Sequence, residues 1–405
     1  MNGTTKGLRL HIGVFGRRNV GKSSIVNALT GQQVSIVSDV PGTTTDPVDK
    51  TMELKPIGPV VFIDTAGTDD KGELGGQRVA RTVKAMERTE LALLVTDDWT
   101  DEEDRLVRML EQRKTPYIVV ANKKDMRMDD SLEAAAVRAG AKYVATTCAV
   151  FPEGFDRLRQ LMVEAAPVEF LEARPLIADL VQPGDTVLLV TPLDIEAPKG
   201  RLKMLQVHCL REILDRSATA VIVKETELEA ALAGLTGGPS LVVADSQVFD
   251  KVAAQLDPET PATTFSIVMA RFKGDLEAMA AAAEVIDTLR PGDRILVAES
   301  CTHHPIGEDI GRVQIPALLE QAAGGPLKVD IAAGQDYPQD LRPYRLVIHC
   351  GACVFNRKQM LWRIHQAQSQ GVPITNYGVA ITHCMGLLDR ATAPLTAAQP
   401  LITAG

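Results

Sequence analysis

The stretch Gly16-Arg17-Arg18-Asn19-Val20-Gly21-Lys22-Ser23 has the form G-x-x-x-x-G-K-[ST], and its surroundings decide the fold. The apolar run Leu8–Phe15 before it predicts a buried strand, and the pattern from about Lys22 to Leu29 predicts a helix. Between a strand and a helix, such a loop wraps phosphates. Its glycines let successive backbone N–H groups point inward, and the helix adds its positive end. In that arrangement Lys22 reaches the β- and γ-phosphates and Ser23 ligates Mg²⁺. Gly16, Asn19, Val20, Gly21 and Ser24 complete the expected set of nucleotide contacts.

Further along, two more motifs stand at the ends of predicted strands. Asp64-Thr65-Ala66-Gly67 follows Val60–Ile63, so Asp64 is placed to hold the metal's water shell and Gly67 to turn its N–H toward the γ-phosphate. Asn122-Lys123-Lys124-Asp125 follows Tyr117–Ala121 and has the form N-K-x-D. A carboxylate at Asp125 accepts two N–H bonds from the guanine edge, which adenine does not offer. The wrong base would leave a buried charge unpaired, so the motif selects GTP over ATP. Each four-residue match is weak alone; in this order and context the three imply GTP binding and hydrolysis. No glutamine follows Gly67, where Thr68 and Asp69 stand. Hydrolysis is therefore expected to be slow unless a monovalent cation, an ordered switch or a partner assists it.

Short apolar, β-branched runs alternate with helical patterns along most of the chain, which predicts α/β architecture with parallel sheets. The reading is an N-terminal P-loop small-GTPase domain over 1–168 followed by two further α/β domains, over 175–260 and 262–405. Proline-bearing segments at Ala166-Pro167 and Ala173-Arg174-Pro175 mark the first boundary, and Leu256-Asp257-Pro258-Glu259-Thr260-Pro261 marks the second. In the last region Ser266–Met269, Arg294–Ala298, Lys328–Ile331 and Arg345–Ile348 are expected strands.

Composition narrows the class. The 405 residues carry a net charge of −9, with 45% hydrophobic and 23% charged residues, as in globular proteins that build a core without staples. That charge argues against nucleic acid as the main partner. No run approaches the ~20 apolar residues of a membrane span, and the N-terminus offers no signal core, so a cytoplasmic location without membrane contact is expected. Six cysteines are too few for a disulfide scaffold.

The clustered cysteines read as metal ligands or redox groups. Cys301-Thr302-His303-His304 follows the strand Arg294–Ala298, and His349-Cys350-Gly351-Ala352-Cys353 follows Arg345–Ile348. Ligands in open α/β sheets gather at the carboxyl ends of strands, so both groups can face one pocket. Three thiolates from Cys301, Cys350 and Cys353 suit a 4Fe-4S cluster with one iron left open. His303, His304, His349 or Glu308 would cap that iron or stand behind the ligands. A structural Cys₃His zinc site and a dithiol redox pair are the alternatives. Cys209 and Cys384 stand apart and read as small core residues.

Residues 8–165 resemble the small-GTPase superfamily, above all the bacterial branch that includes tRNA-modification and ribosome-assembly GTPases. The shared details are Asn19 before Val20-Gly21-Lys22, and Pro41-Gly42-Thr43-Thr44-Thr45-Asp46 as a first switch. The resemblance implies that Thr44 closes over Mg²⁺ and that Asn19 helps hold a K⁺ ion in place of an arginine finger. It also makes Thr146-Thr147-Cys148-Ala149 a loose form of the last guanine-contacting motif, with Ala149 giving a backbone N–H and Cys148 packing the loop.

With Cys301/His303 and His349/Cys350/Cys353 at the other end, the whole chain resembles the FeFe-hydrogenase maturation GTPases, the HydF family. That resemblance implies a middle domain forming a homodimer and a terminal cluster-binding domain. It implies a scaffold that receives a diiron subcluster precursor as cargo from two radical-SAM maturases and delivers it to apo-FeFe-hydrogenase. The competing reading is a tRNA- or ribosome-directed GTPase with a structural zinc module. A blander one is a GTP-regulated dimeric interaction protein whose cysteines only pack.

Overall fold

The computed structural model describes residues 7, 9–31, 48–65, 82–126, 130–148, 154–171, 174–192, 202–300, 309–334 and 336–396. The chain divides into two compact units, Met1–Arg174 and Pro175–Gly405.

The first unit is built on six strands: β1 (Leu10–Phe15), β2 (Val48–Leu54), β3 (Gly58–Asp64), β4 (Leu91–Thr96), β5 (Tyr117–Ala121) and β6 (Val144–Thr146). Their order is β2-β3-β1-β4-β5-β6, with β2 antiparallel to β3 and every other pair parallel. β1 and β4 are buried at every residue. Continuous apolar runs are what a parallel strand covered on both faces requires. One face packs Leu10, Ile12, Phe62 and Leu93 against Ile25, Leu158 and Met162. The other packs Phe15, Ile63 and Leu94 against Leu106, Leu110 and Ala136. This is the P-loop GTPase fold, and it carries the carboxyl ends of β1, β3, β4, β5 and β6 to one edge.

The second unit holds two four-stranded parallel sheets. β7 (Thr186–Val190), β8 (Thr219–Val223), β9 (Leu241–Ala244) and β10 (Ala262–Thr264) lie in the order β10-β9-β7-β8. β11 (Arg294–Glu299), β12 (Lys328–Ala333), β13 (Leu346–His349) and β14 (Ile374–Asn376) lie in the order β12-β11-β13-β14. Buried residues of both sheets, among them Leu188, Val243, Val297 and Ile348, belong to one apolar cluster.

One expected strand is a helix. Ser266–Met269 lies within the helix Phe265–Lys273, whose N-terminus is capped by Thr264 Oγ1 accepting from the Ile267 N–H at 3.2 Å. Phe265, Ile267, Val268, Met269, Ala270 and Lys273 are all buried. A short run that is apolar on every side has no period to separate a covered strand from a covered helix. The preceding strand is β10, which extends the β7–β9 sheet past the Leu256–Pro261 turn. No helix among the described residues is long and apolar enough to cross a membrane.

Candidate nucleotide and cysteine sites

In the first unit the loop after β1 makes the turn the motif demands. Gly16 has φ 142° and Gly21 φ 98°. A Cβ on Gly16 would stand 2.1 Å from the Val95 carbonyl oxygen, and one on Gly21 would stand 2.2 Å from Asn122 Nδ2. Glycine is thus needed at both places for conformation and for close approach. Asn19 also takes the left-handed region, at φ 61°, which asparagine tolerates better than most residues. Val20 is buried and Ser24 is half-buried in the first turn of the helix Lys22–Thr30.

Lys22 Nζ donates to the Gly16 and Arg17 carbonyls at 2.9 and 2.6 Å, so the loop curls around its own lysine. Ser23 Oγ donates to Asp64 Oδ2 at 2.8 Å, from the first turn of the helix to the end of β3. Burial pushes the Asp64 carboxyl up, against the lowering effects of Ser23, Lys22 and Lys50. A hydroxyl and a half-buried carboxylate facing each other are hard oxygen donors, a set that fits Mg²⁺.

The guanine side is laced together across three strand ends. Asn122 Nδ2 donates to the Val20 carbonyl at 2.9 Å, and Thr147 Oγ1 donates to Asn122 Oδ1 at 3.2 Å. Cys148 Sγ donates to Asp125 Oδ1 at 3.1 Å. Beyond packing its loop, Cys148 therefore orients the carboxylate expected to read guanine. Asp97, just past β4, accepts from Lys123 Nζ at 2.6 Å and from Arg17 at 3.2 Å. Arg17 Nε also donates to Glu103 Oε1 at 2.9 Å, where Glu103 is 0% exposed. The pairing of Arg17 with Asp97 and Glu103 escapes sequence reading because 80 and 86 residues separate the partners and no motif links them. Thr44, Gly67 and Ala149 lie outside the described residues.

In the second unit the His349–Cys353 segment leaves the end of β13. His349 pairs with Ala298 of β11, and the Cys350 N–H continues the ladder to the Ala298 carbonyl at 2.9 Å. Cys350 Sγ receives the Ser300 N–H at 3.1 Å and lies 3.2 Å from Ser300 Oγ. Ser300, the residue before Cys301 in sequence, thus stands beside Cys350 at the ends of the adjacent strands β11 and β13. Burial pushes the Cys350 thiol up, opposed by its hydrogen bonds with Ser300. A sulfur with N–H and O–H partners already in place fits metal thiolate ligation. Cys353 is exposed.

His349 is 0% exposed. Its Nδ1 lies 2.7 Å from the Cys350 carbonyl, and its Nε2 lies 2.8 Å from an Arg363 guanidinium nitrogen. A guanidinium only donates, so Nε2 accepts and Nδ1 carries the proton to the carbonyl. Burial, then Arg363, pulls the ring's pKa down to about 3. With both nitrogens engaged, the neutral ring stands behind the cysteine loop. Arg363 is held in turn over the Tyr337 and Phe355 rings, at 4.3 and 4.4 Å.

Cys301, His303, His304 and Glu308 lie outside the described residues. Among the described residues, no group of three or more His, Cys, Asp or Glu side chains is arranged to hold a metal ion. Cys209 is fully buried, which pushes its thiol up. Lys273 is a further omission of sequence reading, since its Nζ donates into the cysteine loop.

Residues 11–123 match the family profile described as 50S ribosome-binding GTPase. Residues 176–274 match the hydrogen maturase F dimerization domain, and 277–394 match the hydrogen maturase F tetramerization domain. Among curated relatives, GTPase Der of Wolinella succinogenes is 42% identical over 124 residues, 29% of this chain and 26% of that protein. GTPase Der of Campylobacter concisus is 31% identical over 218 residues, 52% of this chain and 41% of that protein. The chain spans about a quarter of the length of the first curated relatives it matches. Among solved structures, Era in complex with MgGDPNP and 16S ribosomal RNA covers 53% of this chain and 91% of its own. It is 19% identical, with a TM-score of 0.36. The G domain of the T. maritima FeoB iron transporter covers 39% and 98%, at 25% identity and TM-score 0.31. The two hydrogen maturase F profiles together span more than half of the chain, behind a GTPase domain, and the chain belongs to the hydrogen maturase F family.

Proposed function

We propose that this protein hydrolyses GTP and acts as an iron–sulfur scaffold and carrier for FeFe-hydrogenase maturation. In this reading it receives the diiron subcluster precursor from two radical-SAM maturases and delivers it to apo-hydrogenase. The observation that carries the reading is the contact of Cys350 with Ser300, the residue before Cys301 in sequence, in a chain that also holds a nucleotide loop.

In the nucleotide site, Lys22 and the loop N–H groups would hold the phosphates. Ser23 and Thr44 would hold Mg²⁺, Asp64 its water shell, and Asn19 a K⁺ ion. Asp125, steadied by Cys148, would read the base. In the cysteine site, Cys301, Cys350 and Cys353 would hold a 4Fe-4S cluster. A cluster with one iron free of cysteine supplies an exchangeable coordination position. Ser300 orients the Cys350 sulfur, and His349 fixes the Cys350 carbonyl. His303, His304 or Glu308 would face the open position. The dimerization and tetramerization domains support homodimers and larger assemblies.

The test is transfer to purified apo-hydrogenase from protein loaded by the two maturases. Lys22→Ala is expected to bind GTP poorly and to slow hydrogenase activation, while Cys350→Ala is expected to abolish it. Full activation by Cys350→Ala would refute the scaffold role.

A further inference from the structure

The helix Phe265–Lys273 ends inside the cysteine loop. Lys273 is 2% exposed, and its Nζ donates to the carbonyls of Ala352 at 2.8 Å, Cys353 at 3.2 Å and Phe355 at 2.6 Å. Three carbonyl acceptors call for three N–H donors, which lysine offers as the ammonium ion and not as the neutral amine. The contact is returned. Arg357 donates to the carbonyls of Phe272 at 3.3 Å and Gly274 at 2.8 Å, at the end of the same helix, where carbonyls lose their intrahelical partners. Between the cysteines, Ala352 sits at φ 52°. That left-handed conformation costs an L residue roughly 1–3 kcal/mol and persists only where the surroundings enforce it. Lys273, bonded to the Ala352 and Cys353 carbonyls, is the enforcing contact.

We infer that Lys273 is a positioning residue that shapes the Cys350–Cys353 loop and holds a buried positive charge behind it, raising the reduction potential of a cluster bound there. The inference rests on the cluster reading proposed above. Reduction adds one negative charge to a thiolate-held cluster. A fixed cation in surroundings poorer in water than the bulk favours that charge, and net charge and hydrogen bonding are known levers on cluster potential.

The test uses the full chain, reconstituted anaerobically, as wild type, Lys273→Gln, Lys273→Met and Lys273→Arg. Iron and sulfide content, an EPR-monitored redox titration and thermal unfolding of the apo protein are read for each. Lys273→Gln keeps amide donors for the loop carbonyls and removes the charge; Lys273→Met removes both. Both neutral variants are expected to shift the potential negative by at least tenfold in the reduction equilibrium, ~59 mV for a one-electron couple. Lys273→Met is also expected to load less iron, and Lys273→Arg to stay close to wild type. Wild-type loading and potential in either neutral variant would overturn the inference, as would an equal shift in Lys273→Arg. A wild-type chain that takes up no reducible cluster would overturn the cluster reading and this inference with it.

Discussion

At the scale of single residues, function depends on contacts that the motifs do not spell out. From N-K-x-D alone Asp125 is the expected guanine reader, but its orientation comes from the Cys148 thiol. A thiol is a weak donor, so deleting this bond to the carboxylate costs about 0.5–1.5 kcal/mol. Cys148→Ala is therefore expected to weaken GTP binding about 3–10-fold, with Cys148→Ser holding affinity at or above wild type, in titrations with a fluorescent GTP analogue. Asp125→Asn removes the charge expected to pair with the guanine N–H groups. It is expected to lower GTP affinity by roughly 30-fold or more and to favour xanthosine triphosphate, checked by competition between the two nucleotides. Lys273 shows why other site residues escape notice. In the sequence it looks like an ordinary solvated cation. Its one local signal is spacing, because positions 265, 269 and 273 fall four apart and share the face of Phe265 and Met269. A lysine on a buried stripe is a candidate for an internal acceptor set, yet carbonyls some 80 residues away cannot be read from local pattern.

At the scale of elements, the strands β1, β3 and β5 are legible because continuous apolar runs end in chemically marked loops. The helix Phe265–Lys273 is not, since its run is too short and too uniformly apolar to show a period. Its Thr264 cap is the distinguishing feature, though a threonine before an apolar run is common. Another element-level device anchors the start of the second unit. Glu212, on the helix Met204–Asp215, accepts from the backbone N–H groups of Leu176, Ile177 and Ala178 at 2.8–3.0 Å. Arg271 closes the same turn through Asp179 and the Leu176 carbonyl. Glu212→Ala leaves those N–H groups without their carboxylate. It is expected to destabilise the second unit by roughly 1.5–3 kcal/mol, the range for hydrogen bonds to charged groups. By calorimetry that is a fall of roughly 3–12 °C in the unfolding midpoint of that unit, with the first unit's transition unmoved.

At the scale of the whole molecule, the order of a nucleotide unit and a cysteine-bearing unit is legible from motif order. The sharing of one apolar cluster between the two four-stranded sheets is not, because it rests on contacts between residues far apart in sequence. The cysteines report on this organisation. In apo protein Cys353, which is exposed, is expected to alkylate faster than buried Cys148 and Cys209, with Cys209 reacting only on unfolding. Metal loading is expected to protect Cys353 and chelation to restore its reactivity, both followed by mass spectrometry. The claim that this GTPase chain carries a cluster rather than a structural zinc is tested most directly by one measurement. Iron, sulfide and zinc are determined on the anaerobically reconstituted full chain, with EPR of the dithionite-reduced sample. We expect about four iron and four sulfide per chain and a reducible cluster, lost in Cys301→Ala, Cys350→Ala and Cys353→Ala while GTP binding persists. About one tightly held zinc per chain with no reducible cluster would contradict the account and leave a GTPase joined to a structural metal domain.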